Sequence, residues 1–383
     1  MQQSKRAVHL PFILIVCGGV FFFANNHMLT IVIPLYLDSL QASVALVGYS
    51  SAAMGAVAFS FRFMCPYLFK KIRLPAIVFS SHLVLCLITL LLLFSGQPVQ
   101  VFLIRSLYGI PLAMFPLYYL LLIRKLATSR EQLVSYASLG GFAMPLSLSV
   151  SPFIAEYVST QFSFHAAYLV ALMASIFSFL CLYAGSLLVS QSLSSNPSIQ
   201  TAKDFGPVKR KTTLIPIFCY VYLGVVDIIV LSFLPLYAMT VTRSFSFYFL
   251  VFSATMVISQ NFLRRFSILR NSKLLLRLGY LSLMLTLLTV ITPFGTISLV
   301  ISALFFGLGF SLVETTTNSV IISTIQSEAD SSLINYQQIS ISIGRMLSPF
   351  VFGLCVDTFG FSNSFIAAGL LGFFAIIALG RYR

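Results

Sequence analysis

Ionisable side chains are scarce in the long apolar stretches of this chain, and the few that occur there define the chemistry open to it. Two carboxylates (Asp227, Glu314), three guanidinium groups (Arg62, Arg105, Arg345) and two imidazoles (His27, His82) stand among Leu, Ile, Val and Phe. Neutral polar groups accompany them: Asn25, Asn26, Tyr108, Thr315, Thr316 and Asn318. A charge at the centre of a bilayer costs roughly 2.5–3.5 kcal/mol or more, so such residues face a protein interior or a water-filled cavity. Asp227 is the first candidate for proton exchange, because a carboxylate withdrawn from bulk water can take up and release a proton near neutrality. The structural alternative is an Asp227 neutralised by a neighbouring arginine and serving helix packing. Glu314 is the second candidate; its alternative is a backbone-capping role in an irregular helix, with Thr315–Thr317 bonding back to preceding carbonyls.

The three arginines divide by position. Arg105 offers a planar fork for a carboxylate, or else makes a fixed ion pair or carbonyl clamp. Arg345 lies centrally in its apolar run and is assigned a gate or a solute contact. Arg62 stands eight residues before Lys70 and can extend its head to the membrane surface. His27 can titrate near neutrality, although a lone histidine in an aromatic run is more often a hydrogen-bonded core residue. Pro111 and Pro116 are expected to bend their helix, a kink that gating can use. The chain has no Gly-x-x-x-x-Gly-Lys-Ser/Thr loop, no Gly-x-Ser-x-Gly elbow and no His-Glu-x-x-His, so no enzyme is expected. Its six cysteines are scattered singly, without metal-ligand spacing. No cofactor or metal is expected.

The elements that must position these groups follow from composition. Of 383 residues 58% are hydrophobic and 8% charged, with mean hydropathy +0.98. Soluble domains carry about 25% charged residues, so a water-soluble enzyme is excluded. The unit of construction is a span of roughly 20 apolar residues. Twelve spans are expected near 10–37, 44–69, 75–95, 100–122, 133–157, 164–190, 213–238, 245–264, 274–293, 297–324, 332–356 and 362–380. The net charge of +14 then resolves into topology. Lys and Arg concentrate at the tails and in the even-numbered connections, as in Lys70, Lys71, Arg73 and Lys209-Arg210-Lys211; Arg243 stands in an odd-numbered one. By the positive-inside rule both termini are cytoplasmic, and the basic balance is no nucleic-acid footprint.

The two halves of the sequence resemble each other. Pro34-Leu35-Tyr36 recurs as Pro235-Leu236-Tyr237, Gly109 as Gly307, and Ser151-Pro152-Phe153 as Ser348-Pro349-Phe350, at offsets of 201, 198 and 197 on correspondingly numbered spans. By these offsets Asn26 is the mate of Asp227, and Pro116 of Glu314. A domain plan follows: residues 1–190 as one six-helix bundle, 191–211 as a cytoplasmic linker, 212–383 as the second bundle.

Parallel six-helix repeats around a midplane site are one plan of secondary transporters. The chain resembles the major facilitator superfamily over essentially its whole length. Arg105-Ser106-Leu107-Tyr108-Gly109 is similar to that family's Arg-x-x-x-Gly signature. The loop Pro66–Arg73 occupies the place of its Gly-x-x-x-Asp-Arg-x-Gly motif, with Pro66 for the glycine and Lys70 for the aspartate. The antiporter motif of span five is echoed by Ser147, Ser151, Pro152 and Ala155, small residues that also suit close helix packing. The resemblance implies an all-α membrane protein of twelve helices in two pseudo-symmetric bundles, with spans 1, 4, 7 and 10 lining a central cavity. It further implies a monomeric secondary transporter in a bacterial cytoplasmic membrane, working by alternating access and driven by a proton gradient. Expected roles are proton coupling at Asp227 and Glu314; solute binding at Asn25, Asn26, His27, Arg105, Tyr108, Thr315 and Asn318; and gating at Arg62, Pro111, Pro116 and Arg345. Three intramembrane arginines against two carboxylates favour an anionic or zwitterionic solute, with Asp38 and Glu156 as possible compensation. Export is favoured over import by the span-five echo. The alternatives are multidrug efflux of lipophilic compounds, import of a siderophore or metabolite, and a lipid-handling or sensory protein on the same fold.

Overall fold

The computed structural model describes residues 2–127, 130–192, 211–242, 244–265, 271–324 and 332–381. Of these residues 92% are helical, and none is in a strand. In order the helices are α1 (Gln2–Ser39), α2 (Val44–Lys71), α3 (Leu74–Leu92), α4 (Pro98–Leu107), α5 (Gly109–Leu126), α6 (Arg130–Gly141), α7 (Ala143–Gln161), α8 (Phe164–Ser192), α9 (Lys211–Val241), α10 (Ser246–Arg265), α11 (Ser272–Val290), α12 (Thr296–Thr324), α13 (Ser332–Leu370) and α14 (Gly372–Ala378). Among the described residues ten stretches are long and apolar enough to cross a membrane. The last of them, Tyr336–Ala378, has 43 residues and is divided at Gly360, whose φ of 77° breaks the helix. A positive φ is open to glycine at little cost, and this turn separates the expected spans eleven and twelve. Counting the broken pair α6–α7 as span five, the elements agree with the twelve expected crossings.

Proline sets two further breaks by one rule. A proline ring clashes with the carbonyl four residues back and supplies no N–H. Pro111 stands four residues after Leu107, and α4 ends at Leu107. Pro145 stands four residues after Gly141, and α6 ends at Gly141. Span four is thus interrupted at Tyr108, upstream of Pro111, whereas Pro116 lies inside the continuous α5. The internal repeat persists in the element boundaries. Helices α1 and α9 end at Ser39 and Val241, α4 and α12 begin at Pro98 and Thr296, and α5 and α12 end at Leu126 and Thr324, offsets of 202, 198 and 198.

The chain divides into two compact units: Met1–Tyr36 with Ala56–Thr201, and Leu37–Gly55 with Ala202–Arg383. Residues 37–55, the start of α2 included, therefore group with the second unit rather than with the first bundle. Most of the expected linker, 193–210 with Lys203, Lys209 and Arg210, lies outside the described residues, as do Arg243 and Arg270. In the first unit α3 packs on α8 and α5. Gly18 and Gly19 of α1 abut Leu182 and Tyr119, and Phe22 stacks on Phe115 with ring centroids 3.6 Å apart. In the second unit α9 packs on α13, and α12 on α10 and α11. Outward-facing side chains such as Leu91, Leu180, Ile258 and Phe374 are apolar, as a surface meeting lipid requires.

Candidate functional site

Four helices of the second unit bring polar groups into one cluster. Helical spacing selects them. Tyr220 and Asp227 are seven residues apart on α9, Glu314 and Asn318 four apart on α12, and Gln337 and Arg345 eight apart on α13, so each pair shares a face. Gln260 of α10 completes the set. Arg345 holds Asp227 through two contacts to one oxygen: Nε donates to Oδ2 at 2.8 Å, and Nη2 lies 2.7 Å from it. Asp227 is 2% exposed, whereas the Arg345 side chain is 31% exposed. Gln260 Nε2 donates to Glu314 Oε2 at 3.2 Å, and Gln337 Nε2 donates to Asn318 Oδ1 at 2.8 Å. Tyr220 is buried, its hydroxyl within hydrogen-bonding reach of Gln337 and electrostatic reach of Glu314, Arg345 and Asp227.

The ion pair depends on how closely α9 and α13 approach. A Cβ at Gly224 would fall on the carbonyl oxygen of Ile341, and one at Gly344 on that of Val221. With hydrogen in place of a side chain at both positions the backbones meet directly, as small-residue crossings allow. Gly224 lies between Tyr220 and Asp227, and Gly344 between Gln337 and Arg345. The crossing therefore sets the distance that the ion pair spans.

The remaining expected residues of this unit lie along α12. Thr315 is half-buried and its carbonyl accepts Ser319 Oγ at 2.9 Å. Thr316 and Thr317 are fully buried, and their hydroxyls have no partner among the described residues, so they do not bond back to preceding carbonyls.

The first unit gathers its own polar groups in its interior. Asn25 is fully buried and triply engaged: Nδ2 donates to Ala171 O at 2.8 Å and to Thr89 Oγ1 at 3.3 Å, while Oδ1 accepts the Tyr108 hydroxyl at 3.0 Å. The break at Tyr108 is thereby tied to α1, α3 and α8. His27 is buried with Nδ1 3.0 Å from Ser147 Oγ, which lies 3.2 Å from Ser151 Oγ. The small residues of the span-five echo thus line a packed helix face. Arg105 is 1% exposed, within electrostatic reach of the buried Tyr168. Asn26 is half-buried, and its carbonyl accepts Thr30 Oγ1 at 2.7 Å. Arg62 is half-buried in α2, near Cys65. Pro111 is buried and Pro116 exposed.

Tyr220, Gln260 and Gln337 are not among the residues expected from the sequence; Gln260 and Gln337 lie on α10 and α13, outside the spans expected to line a cavity. The spacing from Tyr220 to Asp227 and from Gln337 to Arg345 was the signal available for two of them.

The Major Facilitator Superfamily model matches residues 14–335. No curated protein matches the chain. Among solved structures, the nucleoside transporter NupG superposes with TM-score 0.74 at 15% identity, covering 98% of this chain and 100% of that one. A POT family transporter in complex with 5-aminolevulinic acid gives TM-score 0.79 at 11% identity over 97% and 95%. A bacterial homolog of the human lysosomal transporter Spinster gives 0.75 at 10% identity over 98% and 96%. At these identities the likeness is one of fold.

Proposed function

Because the chain belongs to the major facilitator superfamily, a family of transporters, we propose that this multi-pass membrane protein couples protons to the movement of a small anionic or zwitterionic organic solute by alternating access. We place it in a bacterial cytoplasmic membrane, with both termini in the cytoplasm. The observation that carries the coupling is the Arg345–Asp227 bridge. An incoming anion and the Asp227 carboxylate compete for one guanidinium. Protonation of Asp227 withdraws the internal competitor, so proton and anion bind with positive linkage, and each tightens the other by the same factor. Glu314, in the same cluster, places a second carboxylate where the cationic end of a zwitterion would be matched.

Linkage of this sign is the signature of symport, and it favours proton-driven uptake. Export, the second reading, draws on the small residues of α7. Burial of Ser147, Ser151 and Ala155, with Ser147 engaged by His27, accounts for those residues by packing.

The test is a thermal-shift screen of the detergent-purified protein against ligands sorted by charge, at two pH values. The probe set includes a nucleoside, a short peptide and 5-aminolevulinic acid, after the nucleoside and peptide transporters among the fold neighbours and the compound with which one of them is complexed. A ligand bound only by the native state raises stability by about 2.7 kcal/mol at 100 times its dissociation constant. Stabilisation by carboxylates or zwitterions is expected, stronger at the lower pH, with the pH effect lost in Asp227→Asn. Stabilisation by lipophilic cations alone would replace this reading with multidrug efflux. In proteoliposomes, Asp227→Asn should lose proton-driven accumulation.

A further inference from the structure

The first part of α2 groups with the second unit, although the helix runs unbroken into the first. Its packing partner there is α13. A Cβ at Gly48 would fall on the Pro349 carbonyl oxygen; one at Gly353 would lie 2.9 Å from Val44 O and 3.1 Å from Ala45 Cα; one at Gly55 would lie 3.0 Å from Met346 Cα. The two helices thus meet antiparallel, backbone against backbone, from Gly55 opposite Arg345–Met346 to Val44 opposite Gly353. Beside the seam the rings of Tyr49 and Phe350 lie 5.1 Å apart between centroids.

The far end of the seam is closed by charge. Asp357 accepts Val44 N–H into Oδ1 at 3.1 Å and Ala45 N–H into Oδ2 at 3.0 Å. These are the first two residues of α2, whose N–H groups have no partner within their own helix. The third, Leu46 N–H, is taken locally by Ser43 Oγ at 3.2 Å. Ser43 alone would therefore cap this helix as an ordinary N-cap residue does. The carboxylate from α13 adds a bidentate bond across the seam, and its negative charge meets the positive end of the α2 dipole. Glycine contacts bury little side chain, so this end of the seam depends on the carboxylate. At the other end Arg345 offers its backbone oxygen to Gly55, 3.3 Å from where a Cβ would stand, while its side chain holds Asp227. One helix carries both the ion pair and the clasp.

We propose that Asp357 is a positioning residue that clasps the start of α2 to α13, and that this clasp opens and re-forms during transport. The consequence for transport rests on the alternating-access reading above, whereas the experiment reads the seam itself and needs no solute. The protein is placed in lipid nanodiscs with Ala45→Cys as reporter, Cys219 kept, and the other five cysteines changed to alanine. Ala45 is buried in the seam, and Cys219 is buried in α9, where its thiol donates to Ala375 O. Labelling by a membrane-impermeant maleimide is followed at both sites. Loss of a cap bond changes such equilibria by about tenfold. Asp357→Ala should therefore speed labelling at position 45 about tenfold, with Asp357→Asn, which retains one acceptor oxygen, in between. Thr358→Ala, one residue on and bonded only within its own helix, should leave the rate unchanged. Equal rates with and without the carboxylate would overturn the proposal. So would absence of labelling at position 45 in every variant, and so would a matched rise at Cys219, which marks general loosening of the fold.

Discussion

Replacing Arg345 by methionine should destabilise the protein more than replacing Asp227 by asparagine, and the inequality follows from where the two charges sit. Asp227 is 2% exposed and Arg345 31%. Removing the guanidinium strands a carboxylate that water does not reach, and a buried pair broken in this way costs about 3–5 kcal/mol. Removing the carboxylate charge leaves a guanidinium on a long stem that already touches accessible space, and the asparagine oxygen still accepts from it. The cost of Asp227→Asn is then closer to that of a weakened hydrogen bond, about 1–2 kcal/mol. In the double variant no charge is stranded, so its loss should be smaller than that of Arg345→Met alone, a coupling of about 2 kcal/mol or more in a double-mutant cycle. The deficit of Arg345→Met should shrink as pH falls, because a protonated Asp227 needs no counter-charge. Unfolding can be followed with a thiol-reactive dye, since the chain has six free cysteines and no tryptophan. Equal losses in the two single variants, or losses that simply add in the double one, would refute the idea that Arg345 neutralises a buried carboxylate.

Three other substitutions test the supporting structure. Asn25→Ala leaves the buried Tyr108 hydroxyl without its acceptor and should cost about 1–3 kcal/mol in unfolding free energy; a parent-like melt would show that the knot at the α4–α5 break is replaceable. Gly224→Ala drives a methyl against Ile341 O and should cost about 1–3 kcal/mol while weakening the Arg345–Asp227 coupling measured by the same cycle. An unchanged coupling would mean that the crossing does not set the ion pair. Arg105→Lys keeps the charge but not the fork geometry in a site 1% exposed. It should lower stability by roughly 1–3 kcal/mol even without ligand, whereas an effect on ligand binding alone would move Arg105 from the core to the solute.

The sequence by itself determined the membrane character, the number of crossings and the repeat, because these depend on run length and local composition. Twenty apolar residues in succession have few alternatives in lipid, since every backbone group must be satisfied within its own segment. The breaks at Tyr108 and Phe142 were legible in principle from Pro111 and Pro145, as the clash falls at a fixed distance along the chain. The positions of Asp227, Glu314 and Arg345 within the spans were legible too, since isolated ionisable residues stand out in apolar runs.

Pairing was not legible. Asp227 has Arg345 as its partner 118 residues away, and no spacing within either helix states that α9 and α13 cross at Gly224 and Gly344. Asn25 looked like a solute ligand because it is polar within a span, yet its hydrogen bonds are taken up inside the fold by groups from α3, α8 and the α4–α5 break. Asp357 falls one residue past the expected end of span eleven, where its own helix offers a carboxylate no favourable partner. Only the approach of α2 along a glycine seam gives its carboxylate two backbone donors to hold. Burial and partnership are properties of helices packed side by side, and a sequence records each helix separately.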